Sequence, residues 1–431
     1  MMYTAPNNSL DNKNFISLLR QDLKSQGIVD VATVAEKMTE LQDIQIKDGV
    51  YSYDRYLNNS SNSSSSISSF LSDEIKDDCI VWCVNHYLGL NRHPQVINAT
   101  KDALDQFGTG SGTSAMSGGL SSLHIDLNNK LQSMLNKECS MLFPTGYTAN
   151  LGAISSIATK DDLIIIDRDC HASIIDGCKL SGAKLVPFKN NDVTDLEKKL
   201  TRFSKNYPNT FVIVESAYSM TGNLAPLKEY VDLKKKHDFL LYVDEAHTFG
   251  IYGEKGRGYC QQLGILDSVD FIMGTLSKST ASIGGFVVSD KKYRPLMKFY
   301  SNAYLFQATI PPANAATVLA AIEVFENNPE LIESLHYLNS YFRNKLKTLG
   351  FDLGQSESPV IPIYIESPSI LFEMGKKLYE EGIFSVTVTY PAVKPKEGRI
   401  RFIVSTNHTI KQIDRTVEVL EKLGRELNLI K

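Results

Sequence analysis

Two short polar segments follow apolar runs of this chain and carry residue types that can act on an aldehyde cofactor. Asp244-Glu-Ala-His247 ends one apolar run, and Lys278 lies 34 residues after Asp244 within Gly274-Thr-Leu-Ser-Lys-Ser279. This spacing is typical of the ends of neighbouring strands in an α/β sheet. A lysine amine forms a Schiff base with pyridoxal 5'-phosphate (PLP), and a carboxylate keeps the pyridine nitrogen protonated. The pair therefore predicts a PLP site with Lys278 and Asp244 as catalytic residues.

The Asp244-Glu-Ala-His247 segment also has a purely structural interpretation. An aspartate at a strand end is a common helix N-cap, and a nearby histidine is often structural. The lysine motif downstream favours the functional interpretation, in which His247 hydrogen-bonds the ring hydroxyl. Thr275 and Ser277 flank Lys278 in a turn rich in hydroxyl groups, which suits a phosphate dianion.

Two further segments add candidates for the same site. Phe143-Pro-Thr-Gly-Tyr147 predicts a glycine turn that opens a helix, and the first N–H groups of such a helix would add to a phosphate site. His171 follows the apolar run Leu163–Ile166. Its imidazole could stack on the cofactor ring, and a core or loop histidine is the alternative interpretation.

A pair of arginines near the C-terminus offers a group for a substrate carboxylate, which guanidinium binds through two parallel hydrogen bonds. Arg399 and Arg401 alternate along one predicted strand, so both point to the same face and the pattern does not separate them. The histidines outside the segments above show no metal-ligand spacing, so we predict no metal site.

Composition excludes several classes of function. The 431 residues are 22% charged and 42% apolar, which is typical of a soluble globular chain with a large core and two domains. A net charge of −4 gives no electrostatic case for nucleic acid. We find no targeting signal and no apolar run long enough to cross a bilayer. The six scattered cysteines predict free thiols in a reducing cytoplasm.

Apolar runs alternate with amphipathic helical patterns from Cys79 onward, and four of the runs are near-continuous β-formers: Leu163–Ile166, Phe211–Val214, Phe239–Val243 and Phe271–Met273. Strands of this kind are buried on both faces, as in a mainly parallel sheet flanked by helices. Ligands of such sheets bind at the carboxyl ends of the strands. The predicted fold class is therefore α/β, with the candidate residues at one edge of the sheet.

The sequence pattern predicts that the chain is divided into an N-terminal segment and two domains. Residues 1–78 form an N-terminal segment with a flexible Ser/Asn-rich loop at 58–66, because a run of small polar residues buries little apolar surface. Residues 79–326 form the large α/β domain, and residues 327–431 form a smaller α+β domain. The last helix of the small domain begins after Thr409, which is predicted to be its N-cap.

Taken together, the motifs resemble the α-oxoamine synthases, which are fold-type I PLP-dependent transferases that condense an amino acid with an acyl thioester and release CO2. The resemblance covers nearly the whole folded part, from about Cys83 to Leu423. The matching stretches are Asn85–Leu90, Thr145–Tyr147, His171–Gly177, Glu215-Ser216 with Ser219-Met220, Asp244–His247, Gly274–Ser279, Ile310–Pro312, and Arg401 with His408-Thr409.

The resemblance implies a role for each matching residue. Lys278 would be the Schiff-base lysine and proton shuttle, His171 would stack on the ring, and Asp244 would pair with the ring nitrogen. Ser216 and His247 would contact the ring hydroxyl. The phosphate would be held by four residues, Gly146, Tyr147, Thr275 and Ser277. Asn85 and Arg401 would hold the amino-acid carboxylate, which favours Arg401 over Arg399. The family also implies a homodimer, in which Gln307 or Thr309 reaches the phosphate of the neighbouring subunit.

Within the family, Ser-Lys-Ser279, Ile-Gly-Gly-Phe286 and Ser358–Tyr364 most resemble bacterial serine palmitoyltransferases. This favours L-serine and a long-chain acyl-CoA as substrates, giving 3-ketosphinganine, in the cytoplasm or at the inner face of the membrane. One alternative is a related synthase that condenses glycine, alanine or 2-aminobutyrate with a different acyl thioester, for example to make an aminoketone signal. An acyl carrier protein in place of CoA is an alternative acyl donor. A second alternative activity is that of a PLP aminotransferase, which would release no CO2. A catalytically silent partner is disfavoured by Lys278.

Several positions depart from the pattern of the family, including Thr221 and Asn223, which stand where acidic residues are usual. Ser114 and Asn128 stand where many members carry an arginine and a glutamate, so a charged pair is replaced by two neutral groups. Gln307 stands where a small Thr or Ser is usual, and Thr309 is the expected replacement. These departures leave the PLP residues intact and bear on the choice of amino acid and acyl chain.

Overall fold

The computed structural model of the protein describes residues 23–25, 27–389, 392–394 and 396–431, so the predicted N-terminal segment before residue 23 lies outside the described residues. The chain divides into two compact units. One comprises the chain up to Val84 together with Tyr337–Lys431, and the other is Asn85–His336. This division differs from the predicted boundaries after residues 78 and 326, because strands from both ends of the chain share a sheet in the first unit.

The helices in the described part of the chain are α1 (Val31–Lys47), α2 (Pro94–Phe107), α3 (Ser122–Leu135), α4 (Gly146–Ile157), α5 (Ala172–Ser181), α6 (Val193–Phe203), α7 (Leu227–Lys234), α8 (Tyr259–Gln262), α9 (Arg294–Tyr300), α10 (Asn302–Leu305), α11 (Pro312–Asn327), α12 (Glu330–Leu349), α13 (Pro368–Glu380) and α14 (Ile410–Glu426). The strands are β1 (Arg55–Leu57), β2 (Ser64–Ser69), β3 (Ser72–Val81), β4 (Cys139–Phe143), β5 (Leu163–Asp167), β6 (Lys184–Phe188), β7 (Thr210–Glu215), β8 (Leu240–Asp244), β9 (Phe271–Thr275), β10 (Gly285–Ser289), β11 (Val360–Tyr364), β12 (Ile383–Phe384), β13 (Val386–Val388) and β14 (Arg399–Ile403). None of the helices described is both long and apolar enough to cross a bilayer.

The unit Asn85–His336 is built on a sheet with the strand order β4-β10-β9-β8-β7-β5-β6. The strand pairs from β6 across to β9 are parallel, and β10 runs antiparallel to both β4 and β9. Strands β5, β7 and β9 are buried along their whole length, as expected for strands covered on both faces. The prediction of a mainly parallel sheet flanked by helices is confirmed.

The carboxyl ends of the central strands lie along one edge of this sheet. Strand β7 ends at Glu215, β8 at Asp244 and β9 at Thr275. The register pairs Glu215 directly with Asp244, and Asp244 with Met273. Because parallel strands end at the same edge, the loops that follow them start close together, which is where the sequence places its candidate residues.

The Ser/Asn-rich run differs from the predicted flexible loop, because its last residues belong to strand β2. This strand pairs antiparallel with both β1 and β3. Ile67 is fully buried on the apolar cluster of this hairpin, and Ser65 and Ser68 are buried beside it. The small hydroxyls are hydrogen-bonded, since Asn58 Nδ2 donates to Ser68 Oγ at 2.8 Å. Hydrogen bonding lets these serines occupy buried strand positions without an energetic penalty for lost water.

Strand β3 has a second neighbour from the other end of the chain. Strand β12 runs parallel to it, with Ile383 opposite Ile80 and Phe384 opposite Val81. The C-terminal strands β11, β14 and β13 form a separate antiparallel sheet. Helix α14 then starts with the predicted capping box, in which Thr409 Oγ1 accepts from the N–H of the residue three positions on.

Trp82, the only tryptophan of the sequence, is buried in this first unit. Its indole lies parallel to the imidazole of His408, with ring centroids 3.9 Å apart and planes 10° apart. The indole Nε1 donates to Thr416 Oγ1 at 3.2 Å. Burial lowers the pKa of His408 to about 4, although hydrogen bonds to the backbone of Val81 and Ser405 act in the opposite direction. His408 is therefore a neutral imidazole at physiological pH.

Candidate active site

Asp244 lies at the carboxyl end of β8 and is almost fully buried. Its Oδ1 accepts from the backbone N–H of Ala246 at 2.8 Å, which is the local turn contact of the structural interpretation. Its Oδ2 accepts from Asn150 Nδ2 at 2.7 Å, and Asn150 belongs to helix α4. The carboxylate is therefore fixed from two sides at the edge of the sheet where ligands bind.

His171 is the N-cap of helix α5 and keeps its ring exposed at the same edge of the sheet. Its Nδ1 faces Ser173, with the hydroxyl oxygen at 2.8 Å and the backbone nitrogen at 3.3 Å. The protein atoms around the imidazole displace water from it and thereby lower the pKa of His171, and the positive charge of Lys278 lowers this pKa further. The negative charge of Asp244 acts in the opposite direction. A neutral, exposed imidazole is a suitable surface for a flat ring.

Glu215, one strand away from Asp244, is a buried carboxyl that sequence reasoning did not place in the site. It accepts a short hydrogen bond from the backbone N–H of His171. Burial raises the pKa of Glu215, and the carboxylate of Asp244 raises it further, while Lys278 lowers it. The charge of Lys278 acts on the pKa of both Glu215 and His171, and Lys278 follows β9 at the same edge of the sheet.

Lys278 follows β9 in a turn that is anchored by its neighbours. Ser279 Oγ donates to the carbonyl of Phe249 at 2.7 Å, and Thr280 Oγ1 donates to the carbonyl of Leu276 at 2.9 Å. Lys278 itself is half-buried. The fixed turn holds the amine at the sheet edge beside His171, so the structure brings together the three residues that the sequence predicts at the ring.

The predicted phosphate residues form a cradle between the start of α4 and the end of β9. A Cβ atom on Gly146 would lie 2.7 Å from Thr275 Oγ1, so only glycine fits without displacing this hydroxyl. Thr145 caps the helix by accepting from the N–H of Thr148 at 3.0 Å. The N–H groups of the first helical residues have no carbonyl partner within a helix. Together with the hydroxyls of Thr275 and Ser277, which are 2.9 Å apart, they suit an anion.

Tyr147, the second residue of α4, links the cradle to the ring residues. Its hydroxyl donates to the carboxylate of Asp176, which raises the pKa of Tyr147 and lowers that of Asp176. The phenol ring meets the His171 ring edge to face, with centroids 6.2 Å apart. The phosphate cradle therefore adjoins the ring site.

His247 and Ser216 have different environments, although the family resemblance gives both the same role. His247 is buried, and its Nδ1 lies 2.6 Å from the hydroxyl of Tyr87. Ser216 Oγ donates to the backbone carbonyl of Asp244 at 3.0 Å and lies 2.7 Å from Thr248 Oγ1. These contacts fix Ser216 beside the strand end that carries Asp244. The serine hydroxyl keeps a further acceptor lone pair, so its contact with a ring hydroxyl stays a prediction.

Asn85 Oδ1 and Thr309 Oγ1 are among several buried side-chain oxygen atoms of this unit that have no hydrogen-bond partner among the described residues. An unsatisfied buried polar atom costs free energy, so a group bound beside either atom would be stabilised by donating to it. Gln307, by contrast, is exposed on a surface segment next to Phe306, whose side chain is 80% exposed.

The two arginines on β14 are clearly distinguished by their surroundings. Arg399 is buried, its guanidinium lies 4.4 Å from the ring centroid of Tyr364, and its Nη2 donates to the carbonyl of Glu397 at 2.8 Å. Arg401 is half-buried on the same strand, opposite Pro362. Arg399 is therefore a structural residue of its unit, and Arg401 is the better candidate for a substrate carboxylate.

These features fit PLP. The absence of a Cβ atom at Gly146 lets the N-terminus of α4 lie against the Thr275 hydroxyl, the exposed ring of His171 offers a stacking surface, and the carboxylate of Asp244 can accept from a ring N–H. Lys278 supplies the amine. The fold and the site together define a PLP-dependent enzyme of fold type I.

Comparisons with known proteins narrow this class. The family model for aminotransferases of class I and II matches residues 77–420. A serine palmitoyltransferase of Sphingobacterium spiritivorum is 39% identical over 345 residues, which cover 80% of this chain and 86% of the relative. An 8-amino-7-oxononanoate synthase of Thermoanaerobacter pseudethanolicus is 37% identical over 346 residues, covering 80% and 88%. A solved serine palmitoyltransferase with its PLP internal aldimine superposes with a TM-score of 0.87 at 31% identity, covering 93% of this chain and 100% of that chain.

The chain belongs to the α-oxoamine synthase family, whose cofactor is PLP. The resemblance stated from the motifs is thereby confirmed, and so are the fold class and the cofactor. Relatives with two different activities match at nearly equal identity, so the family is established and the substrates belong to the proposal below.

Several residues of the site were missed by sequence reasoning. They share burial and a hydrogen bond to a predicted site residue or to its direct partner, and they are Asn150, Ser173, Glu215 and Tyr242. Asn150 is recognisable in the sequence, because it is an amide within the mostly small and apolar helix α4. Buried polar groups of this kind are usually hydrogen-bonded to one another.

Proposed function

We propose that this protein is a PLP-dependent acyltransferase that condenses a small amino acid, with L-serine favoured, with a long-chain acyl-CoA and releases CO2. The product from serine and a palmitoyl donor is 3-ketosphinganine. The observation that carries the proposal is the convergence of Lys278, His171 and Asp244 at one sheet edge beside the glycine cradle. The family membership supplies the reaction type.

PLP, when bound, would supply an electron sink for the negative charge that develops at the amino-acid Cα. The Lys278 amine would hold the cofactor at rest and then move the Cα proton, because it is a basic side chain at the sheet edge whose charge acts on both His171 and Glu215. Asp244 would keep the ring nitrogen protonated, since its carboxylate is fixed by hydrogen bonds to Ala246 and Asn150.

Other side chains would bind and orient. His171 would stack on the ring face, and His247, held by Tyr87, would contact the ring hydroxyl. The phosphate would be bound by the residues of the cradle, Gly146, Tyr147, Thr275 and Ser277. Asn85 and Arg401 would bind the amino-acid carboxylate, to which the Nδ2 amide of Asn85 and the guanidinium of Arg401 can both donate.

We include a homodimer in the proposal. The exposed segment that carries Phe306 and Gln307 would lie against a second copy, where Gln307 or Thr309 would reach the partner's phosphate. A two-fold arrangement would give two composite sites. The six free thiols support the predicted cytoplasmic location, because disulfides are rare in a reducing compartment.

The choice of serine and a long acyl chain is supported by the serine palmitoyltransferase relatives and by Ser277 next to the lysine. The second candidate is synthesis of 8-amino-7-oxononanoate, supported by a relative that is almost as similar. That product requires alanine and an acyl chain that ends in a carboxylate. The two candidates therefore differ both in the amino acid and in the acyl donor.

The test is a matrix of amino acids and acyl thioesters, read by mass spectrometry of the product and by release of labelled CO2. Serine, alanine, glycine and 2-aminobutyrate are each offered with palmitoyl-CoA, with palmitoyl-acyl carrier protein and with a dicarboxylic acyl-CoA. We expect product with serine and palmitoyl-CoA, and none from Lys278→Ala purified in parallel. Condensation of another amino acid, with no product from serine, would refute the substrate proposal and retain the family. A keto acid without CO2 would identify an aminotransferase.

A further inference from the structure

The residues expected to hold the cofactor ring are joined beneath the site by an unbroken chain of buried hydrogen bonds. Tyr242 on β8 donates its hydroxyl to Asn150 Oδ1 at 2.9 Å. Asn150 Nδ2 lies 2.7 Å from Asp244 Oδ2 and 3.0 Å from Ser173 Oγ. Ser173 Oγ lies 2.8 Å from His171 Nδ1. Tyr242, Asn150 and Ser173 are each at most 1% exposed.

The chemistry of these groups fixes the direction of every bond in the chain. The carboxylate of Asp244 can only accept, so the atom of Asn150 that faces it is the amide nitrogen, and the carbonyl oxygen accepts from the phenol of Tyr242. The second N–H bond of Asn150 is directed at Ser173 Oγ. The backbone N–H of Ser173 donates to His171 Nδ1, which makes that nitrogen an acceptor. The Ser173 hydroxyl therefore directs its proton at the same nitrogen.

We propose that Asn150 is a positioning residue that orients both ring-binding side chains at once, Asp244 directly and His171 through Ser173. This inference deepens the proposed function and rests on its placement of the PLP ring between these two side chains. Asn150 itself touches neither cofactor nor substrate. It fixes His171 in the tautomer whose Nδ1 is an acceptor and fixes Asp244 in one rotamer.

Asparagine is the one residue type of its size that satisfies this arrangement. Aspartate would place a second carboxylate against Asp244, and leucine would leave the Tyr242 hydroxyl and Asp244 Oδ2 without their partner. The helix position also matters, because Asn150 lies one turn into α4, the helix whose N-terminus forms the phosphate cradle. The same helix therefore sets the phosphate position and the orientation of both groups at the ring.

The first experiment follows the pKa of His171 by NMR in the apoprotein, with the signal assigned from His171→Gln. The charges of Asp244 and Lys278 also act on this imidazole, Tyr147 meets its ring edge to face, and Glu215 accepts from the backbone N–H of His171. The comparison is therefore made between variants. Ser173→Ala removes the donor to Nδ1 and should raise the pKa of His171 by about half a unit to one unit. Asn150→Ala frees the serine hydroxyl to rotate and should raise it in the same direction. Ser156→Ala, a buried serine of α4 that bonds only its own helix, should leave it unchanged.

A double mutant separates the relay from a direct electrostatic effect. If Asn150 acts on His171 through Ser173, Asn150→Ala should add nothing once Ser173 is alanine. A further shift in the double mutant, or no shift in Asn150→Ala alone, would overturn the relay. Tyr242→Phe, which removes one hydroxyl and keeps the volume, provides a milder variant with a smaller shift in the same direction if Asn150→Ala does not fold.

The second experiment measures the branch to Asp244 in the PLP-loaded protein. The visible circular dichroism of the bound cofactor and the NMR shift of a nitrogen-15 label in its ring should change in Asn150→Ala, whereas Ser173→Ala should retain the nitrogen shift. An unchanged nitrogen shift in Asn150→Ala would overturn the branch. Neither experiment uses an amino acid or acyl thioester, so failure of the substrate proposal would not affect the outcome.

Discussion

Acidification should destabilise the unit that contains Trp82 through one buried histidine. His408 is neutral in the folded protein because burial lowers its pKa to about 4. In the unfolded chain a histidine titrates near a pKa of about 6.5. The stabilising contribution of the neutral imidazole is therefore complete above pH 6.5 and is lost as the pH falls toward about 4, since the unfolded chain then binds a proton that the folded chain excludes.

The magnitude follows from these two pKa values. The difference between the two pKa values corresponds to about 3 kcal/mol when the pH lies below both of them. At pH 5 the unfolded histidine is almost fully protonated and the folded one is mostly neutral, so the loss is about 2 kcal/mol relative to pH 7.5. His408 is almost fully buried, so solvent screening does not reduce this value by much.

The assay is urea unfolding at pH 7.5 and pH 5, followed by the fluorescence of Trp82 at one fixed protein concentration. The wild-type protein and His408→Gln are compared, because all other titrating groups cancel in the difference. The pH-dependent loss should be about 2 kcal/mol smaller in His408→Gln. Thr416→Val removes the hydrogen bond to the Trp82 indole and should lower stability equally at both pH values. Equal pH dependence in wild type and His408→Gln would refute the reasoning.

Three further predictions concern the site. Asp244→Asn should slow exchange of the amino-acid Cα proton in D2O by at least a hundredfold, since each lost unit of ring pKa costs about 1.4 kcal/mol; a near-wild-type rate measured by NMR would contradict the role. Gly146→Ala places a Cβ atom 2.7 Å from Thr275 Oγ1 and should weaken PLP binding roughly tenfold in equilibrium dialysis, while Gly110→Ala, with no atom within 4 Å, should not. Arg401→Ala should raise KM for the amino acid with PLP retained, whereas Arg399→Ala should lower the melting temperature; the opposite pattern would assign the carboxylate to Arg399.

The large unit and the centre of the site could be predicted from the sequence for a simple physical reason. Strands buried on both faces are unbroken apolar runs, so Leu163–Ile166 and its counterparts stand out, and each coincides with an observed strand apart from Phe239, which precedes β8. The residue that ends such a run must lie at the ligand-binding edge of a parallel sheet. Asp244 and Lys278 are predicted from this rule together with their residue types and spacing, and both follow or end strands at that edge.

What could not be predicted depends on contacts between distant parts of the chain. Strand β2 consists almost entirely of serines, which have no strong strand preference, and it is held by its pairing with β3 and by hydrogen bonds such as that of Ser63 Oγ to the carbonyl of Asn407. Arg399 and Arg401 share one strand face, and they are distinguished by the burial of Arg399 and by its contacts with Tyr364 and Glu397, which the sequence does not show. Asn150 is separated by more than ninety residues from Asp244, so its role is invisible without the fold.

The pairing of β3 with β12 has a consequence for how the protein is made. About 300 residues separate Ile80 from its partner Ile383, so on a ribosome that adds roughly 5–20 residues per second the edge of β3 emerges about 15–60 s before its neighbour exists. The unit Asn85–His336 is synthesised completely in that interval and can fold first. The hairpin of β2 and β3 meanwhile has an unpaired strand edge on β3. The order of synthesis therefore makes this hairpin a segment that a chaperone would protect during translation. Circular permutation that brings β3 next to β12 in the sequence should shorten the time for which its edge is exposed.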